Sequence, residues 1–135
     1  MNTKRFTKIL IFLAHALVGW ALCGAIIGIG RAVTSMQTTL IVHALGAPVI
    51  FGLISRVYFR RFNYTTPLQT GLLFMLFAIA MDFFVVAMFI EKSFEMFTSL
   101  LGTWIPFGLI FLSTYLTGTY VLRGRQVEQA GAFAK

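Results

Sequence analysis

Four long apolar runs, separated by short polar links, constrain the fold of this chain more than any other feature. They cover residues 9–29, 39–59, 68–90 and 100–122. A helix of about 20 apolar residues crosses the roughly 30 Å hydrocarbon core of a bilayer, so each run is long enough to span it. The pattern predicts an all-α, polytopic membrane protein, a four-transmembrane-helix bundle that forms one domain over residues 1–135.

Composition supports the membrane class. The chain of 135 residues is 59% hydrophobic and only 11% charged, and a soluble domain of this size exposes too much surface to hide such a composition. The net charge of +7 lies in short clusters beside the apolar runs. Such clusters are typical of topology signals and of contacts with anionic lipid headgroups. We therefore expect the lipid bilayer, and no nucleic acid, as the partner of these basic residues.

The distribution of Lys and Arg predicts the orientation. Nine of the eleven basic residues lie in the N-terminal segment, in or just before the second link, and in the tail at 123–135, whereas the first and third links carry only Arg31 and Lys92. By the positive-inside rule both termini are cytoplasmic, N-in and C-in, in the plasma (inner) membrane, and 123–135 is a polar cytoplasmic tail. The first run exceeds the 7–15 residue core of a signal peptide, which favours a retained helix over a cleaved one.

Asp82 is the single acidic residue inside the four apolar runs. A carboxylate at the centre of a membrane helix costs about 2.5–3.5 kcal/mol by insertion measurements, so we expect other groups to shelter it. At 1.5 Å per residue, Asp82 lies in the outer half of its helix. The same arithmetic places four further side chains at similar heights: His43, Cys23, Trp20 and Trp104.

Two interpretations of Asp82 remain open at this point. It can bind a proton or cation, with His43 as its partner, as ionisable groups that face a bundle interior commonly do. Alternatively, it is a neutral, hydrogen-bonded residue that holds helices together. The first interpretation suggests a proton-coupled carrier, and the second a structural or accessory membrane subunit. Trp20 and Trp104 resemble packing or interface anchors, and Cys23 a small apolar residue.

His15 is predicted to lie in a separate layer near the cytoplasmic face. Tyr115 and Thr117 are its expected hydrogen-bond partners, from the depths of the helices. A third hypothesis, a haem- or metal-binding electron carrier, would use His15 with His43. The two histidines are predicted to differ by about 15 Å in depth, which disfavours shared ligation, so we expect no cofactor and no metal site.

Small residues suggest how the helices meet. Gly24 and Gly28 form a GxxxG match in the first run, and the second run is also rich in small residues. Such residues let helices approach closely in lipid. The pattern predicts close packing of the first two helices, or a homo-oligomer through Gly24 and Gly28. No nucleophile elbow, phosphate loop, CxxC or paired carboxylate is present in the sequence, so we expect no enzyme.

Overall fold

The computed structural model describes residues 2–135, and all its regular structure is helical. Helix α1 covers Thr3–Val33 and α2 covers Met36–Arg61. The third membrane helix begins as α3, Pro67–Met81, and continues as a π-helical segment, Asp82–Ile90. After a 3-10 turn at Glu95–Thr98, the fourth membrane helix begins as a second π-helical segment, Leu100–Trp104, and continues as α4, Ile105–Phe133.

The predicted number of helices that are long and apolar enough to span a membrane is confirmed. Four helices are long and apolar enough to cross a membrane, and they correspond to the four apolar runs. The helices extend beyond the apolar runs into the polar flanks, however. The predicted tail at 123–135 is largely a continuation of α4, which ends at Phe133.

The helices begin where side chains satisfy free backbone N–H groups. The side chain of Ser35 accepts from the Thr38 N–H at the start of α2. At α3, Thr66 and Gln69 form a reciprocal capping box, and Pro67 occupies the first turn, where its missing N–H costs nothing. These caps explain why the two links before α2 and α3 are so short.

The four helices surround a common axis in the order α1, α2, α4, α3. We call the end with the links 34–35 and 91–99 the loop end, and the end with both termini and the link 62–66 the terminal end. Extensive contacts join α1 to α2, α2 to α4 and α4 to α3, whereas α1 touches α3 only sparsely. The α1–α3 side is therefore the weakest side of the bundle.

The half of the bundle towards the terminal end is filled by aromatic side chains, and we call it the packed half. Phe74 and Tyr58 are fully buried there, and the ring of Phe12 lies 4.9 Å from Phe74 and 5.7 Å from Tyr58 between centroids. Gly118 lets α4 approach Phe59, since an added Cβ would lie 2.6 Å from that ring. Dense contacts of this kind stabilise helix association in lipid, where no water is expelled.

The glycines that join α1 to α2 are not those of the GxxxG match. A Cβ added at Gly19 would meet the Phe51 ring at 2.7 Å, and one at Gly30 would meet Thr39 at 2.5 Å. A Cβ added at Gly24 or Gly28 would have no neighbour within 4 Å among residues 2–135, apart from its own stretch of helix. Close packing of the first two helices thus uses Gly19 and Gly30, and a homo-oligomer through Gly24 and Gly28 stays a prediction.

Candidate functional site

Asp82 lies where the third membrane helix changes its geometry. Its backbone N–H is shared between the carbonyls of Ala78 and Ile79, and it is the first residue of a nine-residue π-helical segment. π-Helical turns are rare and occur frequently at functional sites. The unusual backbone therefore begins at the one acidic residue of the four apolar runs.

Trp20 is the hydrogen-bond partner of Asp82. Its indole Nε1–H donates to Asp82 Oδ1 over 2.8 Å, and this bond connects α1 to the third membrane helix. The partner expected from the sequence was His43, yet among residues 2–135 Trp20 is the one hydrogen-bond donor to this carboxylate. A role of His43 as counter-charge or proton-relay partner of Asp82 stays a prediction. The depth of Trp20 was a usable signal, but its indole was assigned to packing rather than to hydrogen bonding.

A cavity of about 720 Å³ occupies the half of the bundle towards the loop end, and Asp82 forms part of its wall. We call it the Asp82 cavity. Its inner end is closed by apolar side chains, among them Phe51, Phe107 and Ile110. Its other end reaches the links between the helices, where Met36 and Ser99 belong to the lining. The cavity thus extends from the packed half to the links at the loop end.

Four of the five side chains predicted to lie at one height share this cavity: Trp20, Cys23, His43 and Asp82 all belong to its lining. Trp104 is not part of that lining. Its indole N–H donates to the carbonyl of Phe97, and its ring, 47% exposed, packs between Phe97 and Phe107. Trp104 therefore does not share the cavity wall with Asp82, because its indole is held by Phe97 and nearly half of the residue is exposed.

His43 belongs to the lining of the cavity, and one nitrogen of its ring is buried and unused. His43 Nδ1 is buried, and within residues 2–135 it has no hydrogen-bond partner. A neutral imidazole carries one donor and one acceptor nitrogen, so this atom can take either part in a hydrogen bond. A buried polar atom left without a partner is destabilising. Because Nδ1 is buried, it does not lie on the surface that a molecule in the cavity would contact.

Charge is distributed unevenly around the cavity. Three of the four acidic residues of the chain line it, namely Asp82, Glu91 and Glu95. Of the eleven basic residues only Arg31 lines it, and Arg31 forms an ion pair with Glu91. Once this pair is set aside, the charges left on the lining are those of Asp82 and Glu95, both acidic.

Two polar links cross the weak side of the bundle between α1 and the third membrane helix. Trp20 and Asp82 form the inner link, and Arg31 and Glu91 form the outer one at the loop end. Between them α1 presents Gly24 and Gly28, both exposed. Because these glycines carry no side chain, they leave room in the cavity along its α1 wall.

His15 lies far from the Asp82 cavity, in the packed half. Its Nδ1 donates to the carbonyl of Ile11 over 2.7 Å, and its ring packs edge-on against Tyr58 and Phe62. The predicted partners Tyr115 and Thr117 are therefore wrong: the Tyr115 ring stacks on Phe111 instead. The histidine satisfies itself on its own helix, as a structural histidine does.

The two histidines do not share a site. His15 contacts Tyr58, and His43 lies fifteen residues before Tyr58 on the same helix, which corresponds to about 22 Å along α2. That distance exceeds what one haem iron or one metal ion bridges between two ligands. Within residues 2–135, no group of three or more His, Cys, Asp or Glu side chains is arranged to hold a metal ion.

Comparison of the chain with protein-family models, with curated proteins and with solved structures finds no match. Arguments about function therefore rest on the cavity and its side chains.

Proposed function

We propose that this chain is a small carrier of the plasma (inner) membrane, with both termini in the cytoplasm, that binds a solute in the Asp82 cavity and couples its movement to protons at Asp82. The observation that carries this proposal is the position of Asp82 on the wall of a cavity of about 720 Å³. Pockets of about 300–1,000 Å³ are typical of sites for small molecules. A subunit with a purely structural role has no need of such a space.

The hydrogen bond from Trp20 lets Asp82 exist in two protonation states. An ionised carboxylate costs about 2.5–3.5 kcal/mol at the centre of a membrane helix. A hydrogen bond to a charged group contributes about 1.5–3 kcal/mol, so the Trp20 N–H offsets most of that cost. With the two terms so close, a small change in surroundings, such as the arrival of a solute, decides whether the carboxyl holds its proton.

Coupling follows from competition for one carboxyl group. A solute that contacts Asp82 favours one charge state over the other, and its binding therefore takes up or releases a proton. Movement of the solute to the opposite side requires the packed half to open. The two π-helical segments at Asp82–Ile90 and Leu100–Trp104 both border the cavity, and we assign the change of shape to these irregular turns.

A structural or accessory subunit is the alternative function. It is favoured by the packed half, where Phe59, Phe74 and Tyr58 are fully buried. In that case Asp82 and Trp20 serve as a hydrogen-bonded link between α1 and the third membrane helix. Purification in mild detergent distinguishes the two hypotheses, because an accessory subunit co-purifies with a stable partner. Such a subunit has no transport activity of its own to lose when it is reconstituted without that partner.

Transport by reconstituted vesicles tests the carrier directly. Proteoliposomes are preloaded with radiolabelled tetraethylammonium, lactate or alanine, which are a cation, an anion and a zwitterion, and an inward proton gradient is imposed. We expect proton-driven efflux of at least one probe, loss of this efflux in Asp82→Asn, and retention in Glu128→Gln, which removes an exposed acidic group outside the cavity. Efflux that Asp82→Asn leaves unchanged would refute the role of Asp82, and absence of efflux for all three would refute the carrier.

Orientation has its own test. Reporter fusions at the link 91–99 and at the C-terminus distinguish the two sides of the membrane. We expect the link outside and the C-terminus in the cytoplasm, so that the Asp82 cavity opens to the exterior. A cytoplasmic link would reverse the direction in which the cavity faces.

A further inference from the structure

We propose that the ligand of the Asp82 cavity is an amphipathic organic cation, a molecule with one positive charge and an apolar body. This inference rests on the proposed function, whose binding site it specifies by chemical class. Three independent features of the cavity lead to it: the sign of its charge, the character of its walls, and the groups of Asp82 and Trp20 that are left free on its surface.

The sign of the charge favours a cation. The chain has eleven basic and four acidic residues, yet the lining of the cavity has three acidic residues and one basic residue. The basic residue, Arg31, is already neutralised by Glu91. Clefts lined by one sign of charge raise the local concentration of the opposite ion. In a chain so rich in Lys and Arg, this concentration of acidic groups gives the cavity a charge opposite to that of the rest of the protein.

The walls favour an apolar body. Around Asp82 the cavity is bounded by hydrocarbon and aromatic side chains, including Ile27, Leu40, Val86 and Phe107. An inorganic cation would find few oxygen ligands among them and would keep its water at high cost. An organic cation places its charge near Asp82 and its apolar groups against these walls. Its lower desolvation cost makes it the better match.

Two polar groups on the lining are placed to receive the charged end. Trp20 occupies only Oδ1 of the Asp82 carboxylate, so Oδ2 stays free to contact a cation. The indole of Trp20 also lines the cavity, and aromatic faces attract organic cations.

The sequence supplies a fluorescent probe of the site. The chain has two tryptophans, and only Trp20 lines the cavity, so Trp104→Phe leaves one emission source next to Asp82. The purified full chain in detergent is titrated with tetraphenylphosphonium and, separately, with tetraphenylborate, an anion of nearly the same shape. Only the saturable change in Trp20 emission is counted, since both ions also enter micelles.

We expect the cation to bind at least about tenfold more tightly than the anion. This ratio is modest because the cost of removing water from both charges cancels most of the attraction between a cation and Asp82. Asp82→Asn should weaken binding of the cation by at least about fivefold. The matched charge control, Glu128→Gln, should leave it unchanged. Equal binding of the two ions, preference for the anion, or an affinity that Asp82→Asn does not alter would overturn the proposal.

A second pair of variants tests the location if Asp82→Asn fails to fold. Gly24→Leu fills the cavity without altering its charge, whereas Gly108→Leu adds the same side chain at another open helical position outside the lining. Only Gly24→Leu should abolish the saturable signal; equal effects of both would place the cation elsewhere. Binding without any transport would refute the carrier alone. If the chain carries out proton-driven transport but binds tetraphenylborate more tightly, the proposal of a cationic ligand is refuted and the carrier proposal stands.

Discussion

The two halves of the bundle are built in opposite ways. Towards the terminal end, regular α-helices meet through aromatic rings and close glycine contacts, and residues such as Phe74 and Tyr58 are fully buried. Towards the loop end, two helices turn π-helical, the interior is a cavity of about 720 Å³, and three of the four acidic residues gather on its wall. The difference indicates that the packed half holds the helices together, and the activity that we propose belongs to the other half.

The largest expected effect comes from emptying the packed half. Phe74→Ala should lower the free energy of unfolding by about 3 kcal/mol, the lower end of the range for such changes in soluble cores, because unfolding within lipid transfers no ring to water. Titration with sodium dodecyl sulfate in mixed micelles measures it. The matched change Phe89→Ala, at a residue 74% exposed, should cost little. Equal losses would mean that the two halves do not differ in packing.

Two glycines of the same helix provide a smaller contrast. Gly19→Ala pushes a methyl group into the Phe51 ring and should destabilise by about 1–3 kcal/mol. Gly24→Ala adds the same group where the cavity offers space, so the higher helix propensity of Ala should leave stability equal or raised by up to about 1 kcal/mol. The same denaturant titration compares them. A loss at Gly24 as large as at Gly19 would contradict the open wall on α1.

The inner polar link is tested by a double-mutant cycle. Trp20→Phe and Asp82→Ala each break the bond between Trp20 Nε1 and Asp82 Oδ1, so the double variant should be less destabilised than the sum of the two. We expect a coupling free energy of about 1 kcal/mol, within the range for residues in contact. Strictly additive losses would show that the bond contributes nothing to holding α1 against the third membrane helix.

The outer polar link should matter least for stability. Arg31 and Glu91 are 45% and 35% exposed at their side chains, and exposed ion pairs contribute about 0.2–1 kcal/mol. Arg31→Gln with Glu91→Gln should therefore change the unfolding free energy by less than about 1 kcal/mol. At 1 M salt, where surface ion pairs are screened, this difference in unfolding free energy should disappear. If it persisted, the ion pair would have to be shielded from solvent.

The sequence predicted the number of helices because apolar length is a local property. It also predicted three of the side chains that share the cavity wall with Asp82, namely Trp20, Cys23 and His43, since depth follows from counting residues along each helix. It did not predict the direction of a side chain around the helix axis, and for that reason Trp104 was wrongly grouped with Asp82. The partner of Asp82 was missed because His43 and Trp20 lie at similar heights, and only packing decides which of them reaches the carboxylate.

The cavity and the π-helical turns could not be predicted from the pattern of residues. The pattern of Gly24 and Gly28 predicts a contact between helices. Residues without a side chain can equally leave room for a cavity beside a helix. The run 82–90 is uniformly apolar after Asp82, so nothing in it distinguishes an α-helix from a π-helix. Both features depend on how α1 and the third membrane helix separate towards the loop end, which is a tertiary property.

The most direct test of the account is whether a water-soluble cation reaches position 82. In a Cys23→Ala background, which removes the single native thiol, Asp82→Cys and Thr114→Cys are each exposed to a bulky, positively charged methanethiosulfonate reagent, and the modified fraction is measured by mass spectrometry. Thr114 is fully buried and lies outside the cavity lining. We predict rapid labelling at position 82 and none at position 114. Equal protection at both positions would contradict an accessible Asp82.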